Sequence, residues 1–241
     1  MAKHFHVLWA VDPAPQHKRL QIKTAEALSV LLRGLDADVE PVTVVSPDQI
    51  RVPADLFEPH SAEHRAEVER TIASWAGETG LTGIRPPKTL VQEEFSLHRS
   101  AGCLLAYARE TGANLIALGS NARTGVARAV LGSFAESVAL QSETPLFVVN
   151  GETRPLNAIT RILFPTDFSA ACRAALEALL PVAAAKGARL TFFHKLDYVV
   201  PETQDLFARF PRYHEYLEQD LAEKRKKAEE WGAIASRQGV P

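Results

Sequence analysis

Residues 115–150, LIALGSNARTGVARAVLGSFAESVALQSETPLFVVN, decide the fold. The apolar run Leu115 to Leu118 stops at Gly119, and a short polar loop follows. An apolar-periodic stretch then carries Gly132-Ser133 before a second apolar run, Pro145 to Val149. The order is strand, glycine loop, helix, strand. In open α/β sheets such a loop lies at the carboxyl end of a strand, where unpaired backbone N–H groups can meet phosphate.

Working back toward the amino terminus, the same alternation recurs. Val7 to Val11 is a short apolar run ending at Asp12-Pro13 and reads as a buried strand. Leu20, Ala27, Leu28, Leu31 and Leu32 then repeat at helical spacing up to Gly34, a stop signal. Val39 to Val45 is rich in β-branched residues and is closed by Ser46-Pro47. A polar helix follows from about Ser61 to Glu78 with Val68, Ile72 and Trp75 on one face. Thr89 to Gln92 forms a short strand after Pro86-Pro87, and Ala101 to Arg109 a further helix ended by Thr111-Gly112. The first 150 residues therefore read β-α-β-α-β-α-β-α-β, which implies a doubly wound parallel five-stranded sheet.

Working forward, Gly151 to Asn157 reads as a linker, so that 1–150 is one domain and 158–241 a second. Ile162 to Thr166 ending in Asp167 repeats Val7 to Val11 ending in Asp12. Ala174 to Ala185 is the next helix, stopped at Gly187, and Leu190 to Phe193 repeats the second strand. Trp231 echoes Trp75 and Gly239-Val240 echoes Gly83-Ile84, so an internal duplication is read. By this alignment the second unit stops where the first would begin its third strand. Roughly sixty residues of a full repeat are expected to be missing, and one side of a central strand to stand unpaired.

Composition narrows the function classes. With 241 residues, 46% of them hydrophobic, the chain can bury one large core or two smaller ones. A formal charge of −2 from 27 basic and 29 acidic residues carries no footprint for nucleic acid or anionic membrane. Val7 to Val11 is too short for a signal sequence, and no stretch approaches a membrane span. Two cysteines, Cys103 and Cys172, build no disulfide framework, so a cytoplasmic location is expected. Cys103, among Leu104, Leu105 and Ala108, reads as a core thiol, and Cys172 as a packing residue.

The glycine loop is neither a Walker loop nor a dinucleotide Gly-x-Gly-x-x-Gly. On spacing alone, Gly119 and Gly132-Ser133 either cradle phosphate or merely make turns and close helix contacts. The stretch Gly119 to Gly125, then Leu131 to Val138 and Pro145 to Val149, resembles the universal stress protein family. Nucleotide-binding members carry Gly-x2-Gly-x9-Gly-Ser/Thr in this place. Ile162 to Ser169, ILFPTDFS, is similar to that family's first strand and turn, and His194 stands where its second strand often ends in histidine. The resemblance covers both units and implies a sheet of order 3-2-1-4-5 with a partial repeat of the same fold.

It also implies a stress-response regulator that binds ATP or another adenine nucleotide. Asp12 would hold the ribose or adenine end, and the backbone near Val45 the adenine edge. Gly119, Gly132, Ser133 and the N–H of Phe134 would cradle the phosphates. No metal is expected beyond magnesium accompanying ATP, and no catalysis beyond slow hydrolysis. The family's second motif glycine is replaced by Ala122, with Arg123 beside it as a cationic donor to phosphate. Members pair through their last strand, so Pro145 to Val149 is the expected edge for self-association, directly or between the tandem domains. Partner proteins are expected, nucleic acid and membrane are not. One alternative is a nucleotide-free scaffold. A remoter one is a zinc-dependent hydrolase using His60, Glu63 and His64, whose His-x-x-Glu-His spacing puts two histidines on one helix face. Lys224 to Lys227, with acids four residues away, reads as a solvated helix.

Overall fold

The computed structural model describes residues 4–46, 62–94, 96–121, 132–196 and 211–241. The chain forms two compact units, 1–157 and 158–241.

The first unit is a five-stranded sheet in the order β3-β2-β1-β4-β5, every pair parallel. The strands are β1 (Phe5–Ala10), β2 (Ala37–Val45), β3 (Lys88–Val91), β4 (Leu115–Ser120) and β5 (Leu146–Asn150). Its helices are α1 (Lys18–Leu32), α2 (Ala62–Gly77), α3 (Leu97–Glu110) and α4 (Ser133–Gln141). Strand β1 lies at the centre, and its alternation splits the core in two. Val7 and Trp9 pack with Ala25 and Leu28 of α1 and with Val68, Ile72 and Trp75 of α2. Leu8 and Ala10 pack on the opposite face with Leu104 and Leu105 of α3 and Ala135 and Val138 of α4. Helices on both faces account for strands that read as continuous apolar runs.

Several element bounds differ from the sequence reading. Helix α3 starts four residues before the expected Ala101, because Ser96 caps it by accepting a bond from the Arg99 N–H at 3.3 Å. Its first turn, Leu97-His98-Arg99, adds no apolar period, so periodicity alone misses it. Leu31 and Leu32 of α1 are only partly buried against the core. The inner face instead includes Gln21, Thr24 and Val30. The helix closes before Gly34, whose φ of +79° is the left-handed conformation glycine adopts freely. Cys103 is partly buried against the α3 cluster, and burial pushes its thiol up.

The second unit pairs β6 (Arg161–Pro165) with β7 (Arg189–Phe193) in a two-stranded parallel sheet beside α5 (Ala170–Lys186) and α6 (Pro211–Arg237). Helix α5 begins four residues before the expected Ala174, since Ser169 caps it with a bond from the Cys172 N–H at 3.2 Å. Its core holds Phe164, Leu176, Leu180, Ala183 and Trp231, with Phe168 and Phe192 packed against it. On the other side of the sheet Leu163 and Phe193 are 62% and 52% exposed. The expected solvated character of α6 holds, with Lys227 2.6 Å from Glu223 and Lys224 3.6 Å from Asp220. No described helix is long and apolar enough to cross a membrane.

Candidate functional site

The strand order creates one topological switch point. From β1 the chain crosses to β2 on one side, and from β4 it crosses to β5 on the other, while β1 and β4 pair directly. In open α/β sheets a ligand crevice forms outside the carboxyl ends of two such strands. Asp12 lies two residues beyond β1. Ser120 ends β4, and Gly132 opens α4.

Asp12 is already engaged on both oxygens. Its Oδ1 accepts the Ala14 N–H at 3.0 Å, closing an Asx turn, and its Oδ2 lies 2.6 Å from His17 Nδ1. About a third of each side chain is exposed. His17 is therefore a site residue the sequence reading missed; it stands five positions from Asp12 on a short 3₁₀ turn, a spacing no helix or strand period announces. Val45, at the end of β2, is buried, and its carbonyl accepts the Gln92 N–H at 3.0 Å. An adenine edge at Val45 would share that oxygen.

The two loop glycines differ in what the protein asks of them. A Cβ on Gly119 would stand 2.7 Å from Leu20 Cγ and 3.0 Å from Thr24 Oγ1. Glycine is thus required at 119 by the close approach of α1, whatever the crevice binds. A Cβ on Gly132 would meet only ordinary contacts, 3.5 Å or more, with the Asn121 backbone, and its φ is −56°. Nothing within the described residues demands glycine there. Gly119→Ala is accordingly expected to cost about 1–3 kcal/mol, the typical penalty for overpacking. Urea unfolding of the full chain measures it; an unchanged midpoint would mean α1 yields freely.

Helix α4 has no side-chain cap. Gly132 supplies none, and its own N–H is turned to Ser120 Oγ at 3.0 Å. Ser120 is buried, another site residue missed by a reading that ended the strand at Leu118. The Glu136 N–H closes the first turn on the Gly132 carbonyl. The N–H groups of Ser133, Phe134 and Ala135 precede the first intrahelical donor and are the orphans of a helix start. Ser133 is exposed, whereas Phe134 packs its ring on the α3 side of the core. Ala122 and Arg123 lie outside the described residues. A cavity of about 840 Å³ lies elsewhere, between the outer side of α1 and residues 153–157; neither Asp12 nor Gly132 lines it.

In the second unit the turn after β6 is tightly bonded. The Asp167 carboxyl accepts the Ser169 N–H at 2.8 Å, and the Ser169 hydroxyl and the Cys172 side chain add to that bond in holding it well below the usual carboxylate range. His194 Nδ1 lies 2.6 Å from the Thr166 carbonyl, so this histidine ties β7 to the same turn. Of the zinc-type motif, His60 lies outside the described residues, while Glu63 and His64 begin α2. Among the described residues no group of three His, Cys, Asp or Glu side chains is arranged to hold a metal ion.

A doubly wound parallel sheet of order 3-2-1-4-5, with the start of α4 at its switch point, defines an open α/β protein. The chain belongs to the universal stress protein family, whose model matches residues 4–150 and again 158–240. A universal stress protein from Archaeoglobus fulgidus matches in structure at 18% identity, covering 88% of this chain and 72% of its own, with a TM-score of 0.56. Universal stress protein UspA from Lactobacillus plantarum matches 62% of this chain and 99% of its own at 18% identity and a TM-score of 0.43. A universal stress protein in complex with cAMP matches 61% of this chain and 96% of its own at 19% identity and a TM-score of 0.40. No curated protein matches the chain.

Proposed function

We propose that the first unit binds an adenine nucleotide, ATP or AMP, as a regulatory ligand in the crevice between the ends of β1 and β4. Asp12 takes the ribose hydroxyls and the Val45 backbone takes the adenine edge. Gly132, Ser133 and the Phe134 N–H take the phosphates, together with Gly119 near the end of β4 and the motif residues Ala122 and Arg123. One observation supports this reading: among the described residues α4 starts without a side-chain cap, at a glycine that their packing does not require. Free donors at a helix start favour a phosphate, and a missing Cβ lets it approach closely.

Turnover is expected to be slow, because both oxygens of Asp12 are bonded within the chain and neither is placed to activate water. Isothermal calorimetry and thermal denaturation of the full chain with ATP test the reading. Millimolar ATP should give measurable heat and a raised midpoint, since a ligand that binds only the folded state stabilises it by mass action. No heat and no shift at that concentration would overturn it and favour a nucleotide-free scaffold. We also propose self-association along the outer edge of β5, which among the described strands pairs with β4 alone; light scattering showing a monomer at every concentration would exclude it.

A further inference from the structure

Helix α1 runs against the electrostatics that a helix ordinarily satisfies. Its first turn carries Lys18 and Arg19 and no acidic residue, although the positive end of the helix dipole favours acids. Arg19 and Lys23 stand four residues apart, a spacing at which like charges repel along one helix face. Two of these cations are met within the chain. Lys18 lies 2.7 Å from Glu78, and the Lys23 ammonium donates to the Gly151 carbonyl at 2.5 Å. Arg19 is exposed and has no hydrogen bond or ion pair among the described residues. The fold does not ask for this charge. Aligning Asp167 with Asp12 puts Ala174 and Ala178 of α5 at the places of Arg19 and Lys23.

What these residues share is the cavity of about 840 Å³ between the outer side of α1 and residues 153–157. Its lining holds four basic side chains, Lys18, Arg19, Lys23 and Arg154, against one acid, Glu26. Arg154, like Arg19, is exposed and without a hydrogen bond or ion pair among the described residues. The rest of the lining is mostly aliphatic: Ala27, Val30 and Val149 are buried, and Ile22 and Leu156 are half-buried. The turn that leads into the far wall is held in place. The Gly151 N–H bonds the Ser120 carbonyl at 3.2 Å, and the Glu152 and Thr153 N–H groups bond Asn150 at 2.9 Å and 3.0 Å. Lys23 ties the same turn to α1.

Volume and lining together select a ligand. Small-molecule sites occupy about 300–1,000 Å³ and set a few convergent polar groups in an apolar surface. Two guanidinium groups without partners match a carboxylate or a phosphate, which each can grip with parallel N–H donors. No aromatic ring is present among the described residues that line the cavity, so its walls fit an aliphatic body. We propose that this cavity binds an organic anion with an aliphatic body. Arg19 and Arg154 hold its carboxylate or phosphate head, and Ile22, Val30 and Leu156 receive its body. The bound head neutralises the positive charge that the chain leaves unmet on α1. Neither Asp12 nor Gly132 lines the cavity, so this site stands whether or not the crevice binds a nucleotide.

Calorimetry of the full chain with octanoate, octyl phosphate and octanol tests the site. At least one of the two anions should bind, and the one that binds more tightly names the head group. Octanol should bind about 10-fold more weakly, because an alcohol gives the arginines no charge to grip. Butanoate should fall below octanoate by about 10-fold or more, since each buried methylene is worth about a fourfold gain. Arg19→Ala combined with Arg154→Ala should weaken the anions by about 10- to 50-fold, the yield of two charge-assisted hydrogen bonds at an exposed rim. No binding of either anion at millimolar concentration would overturn the proposal. Equal affinity in the wild type and the double variant would do the same, by placing the anion on another apolar surface such as the exposed Leu163 and Phe193. Equal affinity for butanoate and octanoate would refute the aliphatic body. The octanol and butanoate comparisons use the wild-type protein alone and do not depend on how the variant folds.

Discussion

Trp231→Ala is expected to unfold the second unit while leaving the first intact. Trp231 is 6% exposed and stands at the centre of an aromatic cluster. Its ring centroid is 5.2 Å from that of Phe168, 6.1 Å from Phe192 and 6.4 Å from Phe164, all edge-to-face. Through it α6 meets both strands and the turn after β6, with Ile234 and Ala235 of the same helix in the cluster. Truncating a buried tryptophan costs about 3–5 kcal/mol from lost transfer energy and the cavity left behind. Each favourable aromatic pair adds about 0.5–1.5 kcal/mol. A domain under a hundred residues has about 5–10 kcal/mol in total to lose, and this one rests on a two-stranded sheet with an open face. Amide exchange reads the outcome by region. Protection in β6 and α5 should collapse, and protection in β1 and β4 should persist. Retained protection at Ile162 and Leu176 would show that the cluster is not what holds this unit.

The fold of the first unit was legible because each strand announces itself twice, as a short apolar run and as a run closed by a turn former. Asp12-Pro13 and Ser46-Pro47 mark two of the strand ends, whereas Gly119 lies inside β4, which runs on to Ser120, and the observed order 3-2-1-4-5 follows the family resemblance. Helix starts were less legible. Ser96 and Ser169 cap α3 and α5 one turn before apolar periodicity begins, since a cap is a local hydrogen bond and leaves no period. The duplication was legible in landmarks that proved to be core: Trp75 and Trp231 are each buried.

The candidate site was legible by position and less so by chemistry. Gly119 and Gly132 look alike in sequence, and only the packing of α1 separates them. One glycine clears Leu20 and Thr24; the other clears nothing in the described chain. His17 and Ser120 bind the turn and the helix start, but their roles depend on where a loop folds, and no residue pattern encodes that. The burial of His6 was hidden for a related reason: it follows from the register of β1 on β2, which sets His6 opposite Asp38.

Asp12→Ala is expected to weaken ATP binding by about 10- to 150-fold, and His17→Gln to strengthen it by about 2- to 10-fold. A hydrogen bond to a charged group contributes about 1.5–3 kcal/mol, so deleting the carboxylate proposed to meet the ribose sets the first range. The loss also opens the Ala14 turn, which that carboxylate closes. The second range comes from competition. His17 Nδ1 lies 2.6 Å from Asp12 Oδ2, so a ribose hydroxyl that uses this oxygen must displace or share it. Glutamine in place of His17 relaxes that contact, and the typical net value of one hydrogen bond, about 0.5–1.5 kcal/mol, sets the gain. Calorimetry on the three proteins distinguishes the possibilities by sign. Weakening in both variants would make His17 a ligand contact rather than a competitor. Unchanged affinity in Asp12→Ala would place the nucleotide away from β1. Opposite signs are what this arrangement predicts, because Asp12 is already bonded on both oxygens before any ligand arrives.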